Sequence, residues 1–130
     1  MNVTALMTNQ QVSEVLNALS ENTASYISVF AGRIADTGRD PIPMMLEAVR
    51  AMRSHPKAEL IWASPRELLN VFQAESVGCH VITATSDVIS KWPLVGKDLD
   101  EFSLETVRMF YQDAASAKFT IPTSEGNLKK

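Results

Sequence analysis

Two short stretches hold the residues best suited to chemistry. Ser28-Val29-Phe30-Ala31-Gly32-Arg33 ends an apolar run in a glycine and an arginine, and Leu60-Ile61-Trp62-Ala63 runs into Ser64-Pro65-Arg66. Each has the form of a β-strand followed by a hydroxyl and a guanidinium near its C-terminal end, where α/β proteins bind ligands. A guanidinium presents a planar fork of donors to phosphate or carboxylate, so two forks on neighbouring strands point to an anion site. The competing expectation is that each arginine pairs with a neighbouring Asp or Glu at the rim.

The elements that position these stretches follow from the hydrophobic pattern. Asn2 to Met7 is short, apolar and β-branched near its start, which predicts a buried strand. Thr8 and Gln11 have capping-box spacing, and Val12, Val15, Leu16 and Leu19 continue it as a helix ending near residues 20–22. A second strand is predicted over about Tyr26 to Phe30, with Gly32 to Asp40 as a loop and Asp40-Pro41 opening a helix. That helix carries Met44, Met45 and Met52, unbranched side chains suited to filling a core, and stops at His55-Pro56.

A third strand is predicted near Glu59 to Ala63. Ser64-Pro65-Arg66-Glu67 then reads as a helix start, with a serine cap, proline first and glutamate third, whose free N–H groups would favour an anion. Gly78 closes that helix, and Cys79 to Ala84 reads as a fourth strand with His80 at its N-terminal end in a structural role. A short helix near Asp87 to Trp92 and an amphipathic one from about Leu104 to Lys118 complete the pattern, with Asp100 and Glu101 just before the last.

Strands starting near residues 2, 26, 59 and 80 define four (β/α) units with apolar strands that suit a parallel sheet covered by helices. The fold class is therefore α/β, of TIM-barrel type. A closed eight-stranded barrel needs about 250 residues, so four strands make a half-barrel or a C-terminal fragment. The 130 residues, 45% of them hydrophobic, form one domain over residues 1–122, and 123–130 is a polar tail expected to fray.

A net charge of −3 with scattered lysines and arginines offers no stripe for nucleic acid. No run reaches the roughly 20 apolar residues needed to span a bilayer, and the opening MNVTALMT does not resemble a signal peptide. Cys79 is the only cysteine, which excludes an intramolecular disulfide and suits the reducing cytoplasm. No metal-ligand spacing and no Gly-rich nucleotide loop is recognisable, so neither a metal nor a cofactor is expected.

In their order on successive strands, Asn2-Val3-Thr4, Ser28-Val29-Phe30-Ala31-Gly32-Arg33-Ile34 and Ala63-Ser64-Pro65-Arg66 resemble the last four strands of transaldolases and fructose 6-phosphate aldolases. The resemblance covers nearly the whole chain. It implies a (β/α)8 barrel and carbohydrate metabolism of the pentose phosphate type, in which a lysine forms a Schiff base with a ketose phosphate and a dihydroxyacetone unit passes to an aldehyde. It further implies that Arg33, Ser64 and Arg66 hold the sugar phosphate, that Asn2, Ser28 and Phe30 line the substrate pocket, and that Thr4 positions the catalytic water.

One departure stands out. The family's Schiff-base lysine lies on the strand before the one that opens this chain, and none of Lys57, Lys91, Lys97, Lys118, Lys129 or Lys130 falls at the C-terminal end of a predicted strand. Pro65 also stands where an aromatic is common in the family. Two functions follow as expectations: the C-terminal part of a class I aldolase or transaldolase acting on fructose 6-phosphate and inactive alone, or a non-catalytic sugar-phosphate-binding half-barrel that self-associates. Exposed sheet edges call for the missing N-terminal half or a homo-oligomer as partner in either case.

Overall fold

Four parallel strands, β1 (Asn2–Leu6), β2 (Ser25–Val29), β3 (Ala58–Trp62) and β4 (Val81–Ile82), form one sheet in the order β1-β2-β3-β4. The structure is a computed structural model that describes residues 1–118. The helices are α1 (Asn9–Ala18), α2 (Ala31–Asp36), α3 (Ile42–Ala51), α4 (Leu69–Ser76), α5 (Ser86–Ser90) and α6 (Leu99–Ser116). Met1–Pro93 forms one compact unit, and a second begins at Leu94.

Strand order following chain order, with helices in each crossover, is the arrangement of barrel-type (β/α) units expected from the sequence. Pairing is regular from Ser25↔Ala58 to Val29↔Trp62. One face of this pair, Ile27, Val29, Leu60 and Trp62, is fully buried with Val12 and Leu16 of α1 and Met45 and Ala48 of α3. Burial of each large apolar side chain contributes about 1.5–3 kcal/mol, so this sheet–helix layer dominates the stability of the unit. The methionines Met45 and Met52 are core residues.

Strand β1 departs from simple alternation in a way that serves the core. Val3 packs on the core and so does Leu6, three residues on, whereas a period of two would turn Leu6 to the opposite face. The extra residue is absorbed at Ala5, whose φ is 66°, where the register with β2 shifts. Leu6 therefore stays in the core while Thr4 remains exposed.

Local signals hold at α1. Thr8 Oγ1 accepts from Gln11 N at 3.2 Å and Gln11 Oε1 accepts from Thr8 N at 3.1 Å, the expected capping box. Asp40 Oδ1 accepts from Ile42 N at 2.9 Å from just before the cap position, which Pro41 holds, so α3 starts one residue later than expected.

Five expectations need correction. The strand read as buried over Asn2 to Met7 is β1, in which only Leu6 is buried, because it pairs on one side only and its other face is left open. The stretch read as a loop from Gly32 begins instead with α2, because Arg33 N and Ile34 N both bond Phe30 O and continue β2 directly into a helical turn. Ser64-Pro65-Arg66-Glu67 does not start a helix: Ser64 has φ 61°, and α4 begins only at Leu69. The fourth strand is two residues rather than six, since only Val81 and Ile82 pair with β3. Helix α6 starts at Leu99, capped by Asp98 Oδ1, so Asp100 and Glu101 lie in its first turn, where negative charge meets the positive helix end.

Within the second unit, Lys97 pairs with Glu105 and lies 5.1 Å from the Phe102 ring centre. No residue of α6 is buried. No described helix is long and apolar enough to cross a membrane. The polar tail expected at 123–130 lies outside the described residues.

Candidate functional site

Backbone bonds stitch the C-terminal strand ends into a rim. Phe30 N donates to Leu6 O at 2.9 Å, Ala63 N to Val29 O at 2.8 Å, and Thr83 N to Trp62 O at 3.1 Å. Gly32 N reaches Ala63 O at 3.3 Å, which joins the start of α2 to the loop after β3. The approach is close enough that a Cβ built on Gly32 would fall 1.5 Å from Ser64 O. Glycine is required here for proximity, not for a turn.

This rim frames a cleft of about 530 Å³. Asn2 and Thr4 from β1, Ser28 from β2, Phe30 at its end, and Ser64 and Arg66 after β3 all line it. These are six of the seven residues singled out in the sequence; Arg33 is the exception. Its exposed side chain stands on α2 with its guanidinium carbon 5.3 Å from the Phe30 ring centre, a cation–π contact that ties it to a cleft residue.

The loop after β3 is organised without a helix cap. Asn70 Oδ1 accepts from Arg66 N at 2.7 Å and from Glu67 N at 2.9 Å, so the N–H groups expected to be free for an anion are taken by a side chain. Ser64 is half-buried in a left-handed conformation that a non-glycine residue adopts at some cost, which turns the chain at the cleft wall.

Arg66 faces two ways. It lines the cleft, and its guanidinium also meets Asp36 at the end of α2, with Nη2 to Oδ2 at 2.6 Å and Nε to Oδ1 at 3.3 Å. The Arg66 hydrogen bond and charge, aided by Arg33, hold the Asp36 carboxyl below its usual range, and Asp36 in turn raises Arg66. The expectation of a rim ion pair is thus met for Arg66; among the described residues Arg33 forms none.

Thr83 and Thr85, just past β4, also line the cleft and were not singled out in the sequence. Their signal was available: Thr83-Ala84-Thr85 places two hydroxyls after a strand end, as Ser64 does after β3. His80 lies at the opposite end of its strand, where its ring Nδ1 accepts from Leu60 N at 3.0 Å, a structural role as expected.

The family profile described as Transaldolase/Fructose-6-phosphate aldolase matches residues 1–121. The chain belongs to this family. A probable transaldolase of Desulforamulus reducens is 31% identical over 90 residues, covering 66% of this chain and 42% of that protein. One from Mesorhizobium japonicum is 37% identical over 83 residues, 61% of this chain and 38% of its own. Probable transaldolase 2 of Listeria monocytogenes is 33% identical over 105 residues, 78% of this chain and 46% of its own. The matched part of the chain thus spans less than half the length of each of these relatives.

Proposed function

We propose that the chain supplies the sugar-phosphate-binding part of a class I aldolase or transaldolase site that acts on ketose phosphates such as fructose 6-phosphate. The observation that carries this reading is the convergence of Asn2, Thr4, Ser28, Phe30, Ser64 and Arg66 on one cleft that runs from the open face of the sheet to the C-terminal ends of its strands. Arg66 and Arg33 supply the positive charge for a phosphate, and Ser64 a hydroxyl beside it. Asn2 and Ser28 offer an amide and a hydroxyl to sugar hydroxyl groups, Phe30 bounds the pocket, and Thr4 holds a water for proton transfer.

The Schiff-base step requires an amine at the cleft. Among the described residues no lysine lines it. The nucleophile is therefore assigned to a second segment that contributes the remaining strands, and this chain alone is inactive in the reducing cytoplasm where the proposal places it. Mixing the chain with an N-terminal fragment of a family member is expected to restore cleavage of fructose 6-phosphate, and Arg33→Ala in that mixture to weaken it sharply. Borohydride treatment of the chain alone with fructose 6-phosphate leaves its mass unchanged. A sugar adduct trapped on the isolated chain would sink the assignment of the amine to another segment.

A further inference from the structure

We propose that Asp36 is a positioning residue that aims the Arg66 fork at the phosphate of the substrate, an inference that rests on the phosphate-binding reading of the cleft. The bond pattern supports it. Asp36 takes Nε–H and one Nη2–H, the side edge of the guanidinium. A guanidinium carries five N–H donors, so one Nη1–H and the second Nη2–H stay free on the end edge, and the last Nη1–H points back beside Cδ. That edge is the one left to grip an anion two-handed.

The other end of the residue is fixed as well, since Asn70 Oδ1 holds the Arg66 backbone N–H at 2.7 Å. With backbone and side edge both held, the long arginine side chain loses little further freedom when it meets a phosphate. The position of Asp36 has no rationale in its own helix. It is the last residue of α2, where the negative helix end disfavours a carboxylate. It also lies three residues after Arg33, on the same side of the helix, so one carboxylate sits between the two arginines and leaves the group of three with a net positive charge.

A carboxylate beside cationic groups has two opposite possible effects on anion binding, and this makes the proposal testable by sign. As a mere competitor Asp36 repels phosphate, and its removal tightens binding; as a positioning residue its removal weakens it. The measurement is calorimetric titration of the full chain with fructose 6-phosphate and with inorganic phosphate. Arg66→Ala is expected to weaken both by about tenfold or more, the effect of losing a charge-assisted pair. Asp36→Ala is expected to weaken both by roughly threefold to tenfold, and to add nothing in the Arg66→Ala background. Asp36→Asn, which keeps an acceptor of the same size, falls between and serves if the alanine variant melts early.

A second readout separates positioning from general damage. The Arg66 Nε–H resonance in a 15N side-chain spectrum is expected to be resolved in the unsubstituted chain and to move into the averaged solvent-exposed envelope in Asp36→Ala. Arg66-dependent binding that is equal or tighter in Asp36→Ala overturns the positioning role and leaves the phosphate site standing. Binding that is absent, or indifferent to Arg66→Ala, overturns both.

Discussion

Replacing Gly32 with alanine should test the geometry of the rim, because two physical effects predict opposite signs. Gly32 is the second residue of α2, and its φ is not positive, so helix propensity alone makes Gly32→Ala stabilising by about 0.5–1 kcal/mol. The neighbouring backbone says the reverse. The new Cβ would lie 1.5 Å from Ser64 O, where real Cβ atoms do not come under 3.0 Å, so the two segments must separate by at least the difference, 1.5 Å. The obstacle is a backbone carbonyl fixed between the paired residue Ala63 and the buried Pro65, not the end of a flexible side chain.

Forced insertion into a packed site costs about 1–3 kcal/mol and more where backbone must move, so a net loss of about 3 kcal/mol is expected. For a unit of this size that lowers the melting temperature by roughly 12 °C or more. Urea unfolding followed by far-UV circular dichroism gives the midpoint, with Gly38→Ala as the comparison. Gly38 has φ 78° and no atom within 4 Å of its would-be Cβ, so it suffers only the left-handed penalty of about 1–2 kcal/mol. A Gly32→Ala chain as stable as the unsubstituted one, or more so, would refute the close approach of α2 to the β3 loop and the cleft geometry built on it.

Two further substitutions or modifications probe the far end of the sheet. Leu60 N–H is satisfied by the His80 ring rather than by a ladder carbonyl, so His80→Leu should lose about 1–3 kcal/mol, while His80→Asn, whose Oδ1 sits near the place of Nδ1, should recover most of it in the same urea titration. Equal losses in both variants would show that the acceptor is not what matters. The thiol of Cys79 is raised by burial, only partly offset by backbone hydrogen bonds, so its reactive thiolate is depleted at neutral pH. Iodoacetamide at pH 8 should modify it roughly tenfold more slowly in the native chain than in urea. Because the folded thiol keeps its proton to higher pH than the unfolded one, its contribution to stability is complete below the ordinary thiol value and is lost as pH rises from there through the raised folded value.

Where the sequence was legible, the signal was local. The Thr8–Gln11 box depends on residues three apart, and the one other donor to it, Met7 N–H on Gln11 Oε1, is its sequence neighbour. The strands β2 and β3 were readable because their apolar residues face a common core. The failures have tertiary causes. Ser64-Pro65-Arg66-Glu67 has the composition of a helix start, but the Asn70 side chain takes two of its N–H groups and Ser64 O must lie against Gly32. Gly32 itself was read as a breaker, although its role is to let another segment approach and its backbone is helical. Strand β4 was overestimated because a run of β-formers does not reveal where its neighbour stops pairing; at His80 a ring nitrogen has replaced the ladder acceptor.

The departures from local rules and the candidate site coincide in space. Of the three left-handed residues that are not glycine among the described residues, Lys118 follows the end of α6, while Ala5 and Ser64 belong to the unit that holds the cleft: Ala5 follows Thr4, and Ser64 forms the wall. At Ala5 the backbone gives up alternation so that Leu6 stays in the core, while Asn2 and Thr4 face the cleft by ordinary alternation with Val3. At Ser64 it gives up a helix cap that its own sequence favours, and the loop so formed carries Arg66 to Asp36. Strained positions persist where the surrounding structure holds them, and selection has reason to keep them where a site requires the geometry. The two strained residues lie on β1 and after β3, on either side of Ser28 of β2, so the cleft is where the sheet departs most from regularity.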